Sequence, residues 1–437
     1  MRPIFKCGNY GLVSAVVKLE PKVDSVRPQF ALFDGLRALA ATLVFVDHSW
    51  FRWHPSSCGF AVCASSPGFF TAVWTAFVSG FGPLGVSVFY VISAFLLYRP
   101  FVASRIAGAS VGTASYGLRR VARIFPAYWL ALAVVLLFGY GVREYGLGDL
   151  ARMLTLTQAY TFKGLLYNPI PPTWTICVEL SFYLFLPVWA LLLGRLVRRA
   201  RRPVMAEMVC LLGLGASAFV WRFVVVRNPP GPNEFQHLLG FVPLSDKLLL
   251  ASFDLFAAGM ALAVLSAHGK FSSWPRLFLP VWAWGSAFVG FVALSVLMAS
   301  DGPLGSHWWI QEVIGGGLRV PLAVLIVLPG VLHARSPDAD AVVRILGSRW
   351  LGGLGLISYG VYLWHAPVLA WVHGWTGQLV GVAVYIWVLL AGASFALSLS
   401  VAAVSWRFLE RPLIDLVHGR TASREADRPA EPSVPVG

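Results

Sequence analysis

The chain has 437 residues, of which 57% are hydrophobic and only 12% charged, with a mean hydropathy of +0.71. That composition excludes a soluble globular domain and defines a polytopic membrane protein, all-α because helices satisfy their own backbone in lipid. The net charge of +14 would suggest nucleic acid in a soluble protein, but no basic stretch is interleaved with stacking aromatics, and the positive-inside rule accounts for the same excess.

Residues 1–29 carry Lys6, Lys18 and Lys22 around a short GLVSAVV run, too weak for a signal-peptide core, and read as a cytoplasmic N-terminal segment. Apolar runs of membrane-spanning length then fall near 30–51, 80–98, 122–140, 173–194, 204–226, 246–266, 275–299, 313–333, 351–373 and 379–405, about ten spans in all. With the N-terminus inside, most of the 34 Lys and Arg collect on one side, which predicts both termini cytoplasmic.

Between spans, residues 52–79 hold the run FFTAVWTAFVSGF, too short to span comfortably and expected to be interfacial or re-entrant. Cys58 and Cys63 share that segment, as a local disulfide if it faces an oxidising compartment and as two free thiols otherwise. NPIPPT introduces the fourth span, the basic run Arg195 to Arg202 reads as a stop-transfer loop, and 227–245 as a surface loop. Glu410-Arg411-Pro412 is expected to end the last helix with a salt bridge, leaving 416–437 as a disordered cytoplasmic tail after a 30–415 domain. Gly352, Gly353 and Gly355 suit helix packing better than phosphate binding.

The first span is the least anchor-like. It carries Asp34, Arg37, Asp47 and His48, and ionisable groups within a bilayer mark functional sites by default. Arg37 and His48 are eleven residues apart, which at about 100° per residue returns them to within about 20° of one face, separated by about 16 Å along the axis. A guanidinium near the cytoplasmic end suits phosphate or carboxylate, and an imidazole suits general-base work near neutral pH; alternatively Arg37 pairs with Asp34 or a lipid phosphate and His48 hydrogen-bonds a neighbouring helix. Asp47 points about 100° away from His48 and is not expected to form a dyad with it. Arg120 and Arg123 share one helical turn and suit the phosphates of a nucleotide donor, or else simply anchor the cytoplasmic end. Glu179 lies inside the fourth span, where it needs a cation, a substrate hydroxyl or an arginine such as Arg319. Tyr362 and His365 share a helix face, as substrate ligands or as satisfied core groups. No metal pattern is present in the sequence.

FDGLRALAATLVFVDH, followed in order by GPLGVSVFYVISAFLLYRPF, YGLRRVARIFPAYWL, PPTWTICVELSFYLFLPVW, LGLISYGVYLWHAPV and WRFLERPLI, resembles the acyltransferase-3 family of integral-membrane O-acyltransferases over roughly residues 30–415. The chain departs from the common pattern at Ser93-Ala94-Phe95, where the family often has Ser-Gly-Phe. The resemblance implies transfer of an acyl group, most often acetyl, from cytoplasmic acyl-CoA as co-substrate to a hydroxyl, frequently on a sugar presented outside the plasma membrane. It implies His48 as the catalytic residue, acting as base or carrying the acyl group itself, with Arg37, Arg120 and Arg123 on the donor. The rival class is an exporter of an acylated molecule, which inverted repeats and broken helices would mark; a related alternative is an acceptor that is a small glycosylated metabolite or a lipid.

Overall fold

The structure, a computed structural model, describes residues 31–54, 69–109, 111–139, 145–161, 163–164, 167–227, 247–270, 279–300, 311–332 and 341–426. Among these there is no strand. The helices are α1 (Ala31–Trp53), α2 (Phe69–Ser79), α3 (Phe81–Ile106), α4 (Thr113–Phe138), α5 (Leu147–Leu154), α6 (Trp174–Arg199), α7 (Pro203–Arg227), α8 (Phe253–Ala267), α9 (Leu279–Ser300), α10 (Gly316–Leu332), α11 (Ala341–Leu346), α12 (Arg349–Trp375), α13 (Val384–Ser405) and α14 (Arg411–Ala426).

Each expected span has a helix. Several helices outrun the apolar stretch, as α3 does to Ile106 and α4 from Thr113, because a helix need not stop where hydrocarbon gives way to headgroups. The overrun turns carry Arg99, Arg105, Arg119 and Arg120. Eight helical stretches among the described residues are long and apolar enough to cross a membrane. α1 and α12 fall outside that set, although both are long, 23 and 27 residues. These are the helices carrying His48 and His365.

α1 is the hub of the bundle, packed on α12 and α3, while α8 packs on α3 and α7, and α9 on α10 and α2. Lipid tails are as apolar as the helices, so close van der Waals approach has to hold such a bundle together. A Cβ on Gly355 of α12 would come within 2.1 Å of the Asp34 carbonyl, and one on Gly85 of α3 within 2.6 Å of the Ala40 carbonyl. Only glycine lets these backbones touch, and the contact sets the depth at which α1 sits against both neighbours. Gly352 and Gly353 face open space, so packing explains only the third member of that glycine group. Aromatic rings fill the rest, Phe33 edge-on to Phe95 at 5.2 Å and Phe182 stacked on Phe256 at 4.0 Å.

Two charged clusters inside the bundle were not singled out from the sequence. Glu207, fully buried, accepts from Tyr98 Oη at 2.5 Å and pairs with Arg105. Arg222 pairs with Asp254 and donates to the Ala251 carbonyl at 2.9 Å. Each buried charge meets its opposite, which is the condition for keeping it in lipid.

The FFTAVWTAFVSGF run forms α2, eleven residues that lead through Gly80 into α3. Pro171–Thr173 make a single 3₁₀ turn that opens α6. The expected stop at Glu410-Arg411-Pro412 does not occur. A π turn over Trp406–Glu410 passes directly into α14, and Pro412 falls in the first turn of that helix, where a missing N–H is tolerated. Arg411 faces Asp415 at 3.8 Å, while Glu410 is buried and accepts from Ser405 Oγ at 3.1 Å. The stretch 416–426 is therefore helical, and 427–437 lies outside the described residues, as do 1–29, the loop with Cys58 and Cys63, and 228–245.

Candidate active site

α1 runs unbroken from Ala31 to Trp53, so Arg37 and His48 lie along one straight helix about 16 Å apart. Helix α12 lies alongside it, and the two histidines meet between them. His48 Nδ1 is 2.7 Å from His365 Nε2, with the rings parallel to within 3°. His365 is 1% exposed, whereas 38% of the His48 side chain is open. One is a buried support and the other an accessible reactive group.

The hydrogen-bond pattern assigns the protons. His365 Nδ1 lies 3.3 Å from the Val361 carbonyl, which can only accept, so Nδ1 carries the hydrogen. In a neutral ring that leaves Nε2 as an acceptor, and His48 Nδ1–H donates to it. The bare nitrogen of His48 is then Nε2, directed away from α12. A carbonyl, one histidine and a second histidine thus fix which nitrogen presents a lone pair.

Arg37 Nη1 donates to Asp34 Oδ1 at 3.2 Å one turn earlier on α1. Arg123 faces the same end, within electrostatic reach of Asp34, Arg37 and Glu410, with its guanidinium 5.3 Å over the Trp406 ring and a bond to the Leu356 carbonyl at 3.4 Å. Arg120 sits between the Tyr116 and Tyr183 rings, 5.9 Å from each centroid, with its Nε buried and unpartnered. Arg37 and Arg123 are thus brought together, and Arg120 occupies a neighbouring aromatic slot.

Glu179 accepts from Ser93 Oγ and Tyr183 Oη, both at 2.5 Å. Two hydroxyls hold this carboxylate; Arg319 instead donates from Nε to the Gly315 carbonyl at 3.1 Å. Tyr362 Oη donates to the Pro172 carbonyl at 3.0 Å and lies 2.6 Å from Thr175 Oγ1. Its hydroxyl ties α12 to the start of α6, a structural link one turn from His365.

The pairing of His48 with His365 was not read from the sequence. A signal was available, since each is a histidine within an apolar span, but 317 positions separate them. Asp47, expected to point away from His48, instead brings its Oδ2 to 3.9 Å from His48 Nε2, close but beyond hydrogen-bond range.

The bundle, with an oriented histidine on the same helix as Arg37, and with Arg123 approaching from α4, is that of a multi-pass membrane protein, and the comparison with known families gives its class. The chain matches the family described as acyltransferase domain over residues 30–406 and belongs to it. It is similar to the peptidoglycan O-acetyltransferase OatA of Listeria monocytogenes, 24% identical over 398 residues, covering 87% of this chain and 55% of that relative. The chain therefore spans about half of that relative's length. It is also similar to nodulation protein 10 of Rhizobium leguminosarum bv. viciae, 26% identical over 421 residues, covering 90% of this chain and 95% of the relative. No solved structure matches.

Proposed function

We propose that the chain is an O-acyltransferase of the plasma membrane, moving an acyl group, acetyl being the simplest, from cytoplasmic acyl-CoA to a hydroxyl of a carbohydrate on the outer side. The observation that carries this reading is the His48–His365 pair, which leaves His48 Nε2 as an accessible base one helix length from the arginines. Arg37, Arg120 and Arg123 hold the phosphates of the donor at the cytoplasmic end, where the positive-inside count puts both termini. The pantetheine arm runs along α1, whose Arg37-to-His48 rise of about 16 Å is of the order of that arm's reach. His48 Nε2 takes the hydroxyl proton as the oxygen attacks the thioester carbonyl, the C–S bond breaks, and the proton passes to the departing thiolate. The peptidoglycan acceptor named for the Listeria relative supports a sugar here.

The test is thioester consumption by the purified chain in liposomes, with acetyl-CoA on one side and candidate alcohols present. Wild type should release CoA, and His48→Ala should lower the rate by about 10²–10⁴-fold while leaving the chain folded and able to bind CoA. Full activity in His48→Ala refutes the assignment, and transport of a solute with no thioester consumed would point to an exporter.

A further inference from the structure

Asp47 is the member of the α1 polar set for which the scheme above has no use. The residue is 6% exposed, its Oδ1 is buried without a hydrogen-bond partner, and its Oδ2 stands 3.9 Å from His48 Nε2. The carboxylate is seated directly over the backbone at the start of α3, where a Cβ on Gly82 would meet Oδ2 at 2.1 Å. Burying a carboxylate with no donor opposes folding, so its place beside the reactive nitrogen calls for a partner that the described residues do not supply. The proton assignment sharpens this. His48 Nε2 is an acceptor and so is Asp47 Oδ2, and two acceptors stand side by side with no donor between them among the described residues.

We propose that Asp47 recognises the acceptor, and that the acceptor is a vicinal diol. One hydroxyl donates to His48 Nε2 and is acylated; its neighbour donates to the Asp47 carboxylate. Gauche hydroxyls on adjacent ring carbons, as in a pyranose, are spaced to offer two protons to two acceptors set 3.9 Å apart. This rests on the acyltransferase reading and names the substrate class for it. The reaction is the one already written: the first hydroxyl's oxygen forms the ester bond, the C–S bond of the thioester breaks, and the proton travels through His48 to the thiolate. The second hydroxyl keeps its proton and is only held. A carboxylate that merely steadied the imidazolium would act on every alcohol alike, whereas one that binds the second hydroxyl discriminates between alcohols.

The full chain reconstituted in liposomes is given acetyl-CoA and either trans-1,2-cyclohexanediol or cyclohexanol, and the acetate esters are quantified by gas chromatography. Wild type should favour the diol in kcat/KM by about tenfold or more, the worth of a hydrogen bond to a buried charge. Asp47→Ala should bring that ratio close to one. It leaves no other group unpaired, so the fold should hold. Gly82→Ala, which pushes the carboxylate off its seat while leaving Asp47 in the chain, should lower the ratio in the same way. A wild-type ratio near one, equal losses on both alcohols in Asp47→Ala, or acetyl-CoA consumed with neither ester formed would each overturn the diol assignment. No acetyl-CoA consumption by wild type would instead bring down the acyltransferase reading, and this inference with it.

Discussion

His365→Ala isolates the support from the reactive group. It deletes the acceptor 2.7 Å from His48 Nδ1 and leaves His48, the arginines and the acceptor side untouched. Without it the His48 Nδ1–H loses its partner and the ring is free to turn or to move its proton to Nε2, which would remove the base. An unsatisfied buried donor costs about 1–3 kcal/mol. At about 1.4 kcal/mol per factor of ten, a loss of that size carried fully into the transition state lowers kcat by roughly 5- to 150-fold. The donor KM should stay at the wild-type value, since the guanidiniums are elsewhere. CoA release is followed with a thiol-reactive dye in proteoliposomes, with acetyl-CoA varied at saturating trans-1,2-cyclohexanediol. His365→Gln is the control for lost packing, because its amide oxygen accepts from Nδ1–H and should return part of kcat. A wild-type kcat in His365→Ala, or a glutamine variant as slow as the alanine one, would show that His365 does not orient His48.

Arg123→Ala removes a guanidinium from the Arg37 end of the site and should raise the acetyl-CoA KM about tenfold with kcat little changed; an unchanged KM in the same dye assay reduces Arg123 to an anchor. Gly355→Ala puts a methyl within 2.1 Å of the Asp34 carbonyl and should destabilise the bundle by about 1–3 kcal/mol, seen as a lower thermal melt with loss of activity, because α1 and α12 can no longer close. In the first turn of α5, between the expected spans, the Lys163 ammonium 2.6 Å from Asp149 holds that carboxyl below its ordinary value, helped by Arg152 and the Gly146 N–H. Its contribution is therefore present above the ordinary carboxylate pKa and is lost as pH falls through the lower folded value. Asp149→Asn should flatten that acid limb of a pH-dependent melt, and an unaltered limb would show the pair to be idle.

Most of the architecture could be read in advance because hydropathy in a membrane is close to a structural rule, since backbone polar groups must be satisfied within each span. The helical spans, the option of an Arg37–Asp34 pair and the polar character of the first helix all rest on local sequence. What escaped depended on contacts between distant segments. His365 was a residue with two readings until α12 was laid on α1. Glu207 sits near the end of a span, where an acidic residue draws no notice until Tyr98 and Arg105 are seen to converge on it. Pro412 misled because a proline ends a helix only when it falls in the interior, and the π turn before it resets where the next helix begins. The substitution at Ala94 is accommodated opposite it, since Gly259 leaves room where a Cβ would come within 2.7 Å of the Ala94 methyl.

The two helices least fit for lipid by composition are the two that meet at the histidines, and this follows from what each contributes. A lone histidine or arginine in hydrocarbon favours expulsion of its span, so α1 and α12 are stabilised in the membrane to the extent that they satisfy one another and are enclosed by the other helices. The Gly355–Asp34 backbone contact and the His48–His365 bond lie at opposite ends of the same α1–α12 seam. One sets the depth of approach and the other orients the base at that depth. A shift along the seam by a single helical turn, about 5.4 Å, would place a different residue opposite His48 and leave both histidines unpaired. Assembly of the bundle and formation of the reactive group are therefore one event. Gly355 and Gly85, which set how closely α1 packs on α12 and on α3, should accordingly affect catalysis as strongly as they affect stability, whereas Arg120 and Arg123 should chiefly affect donor affinity.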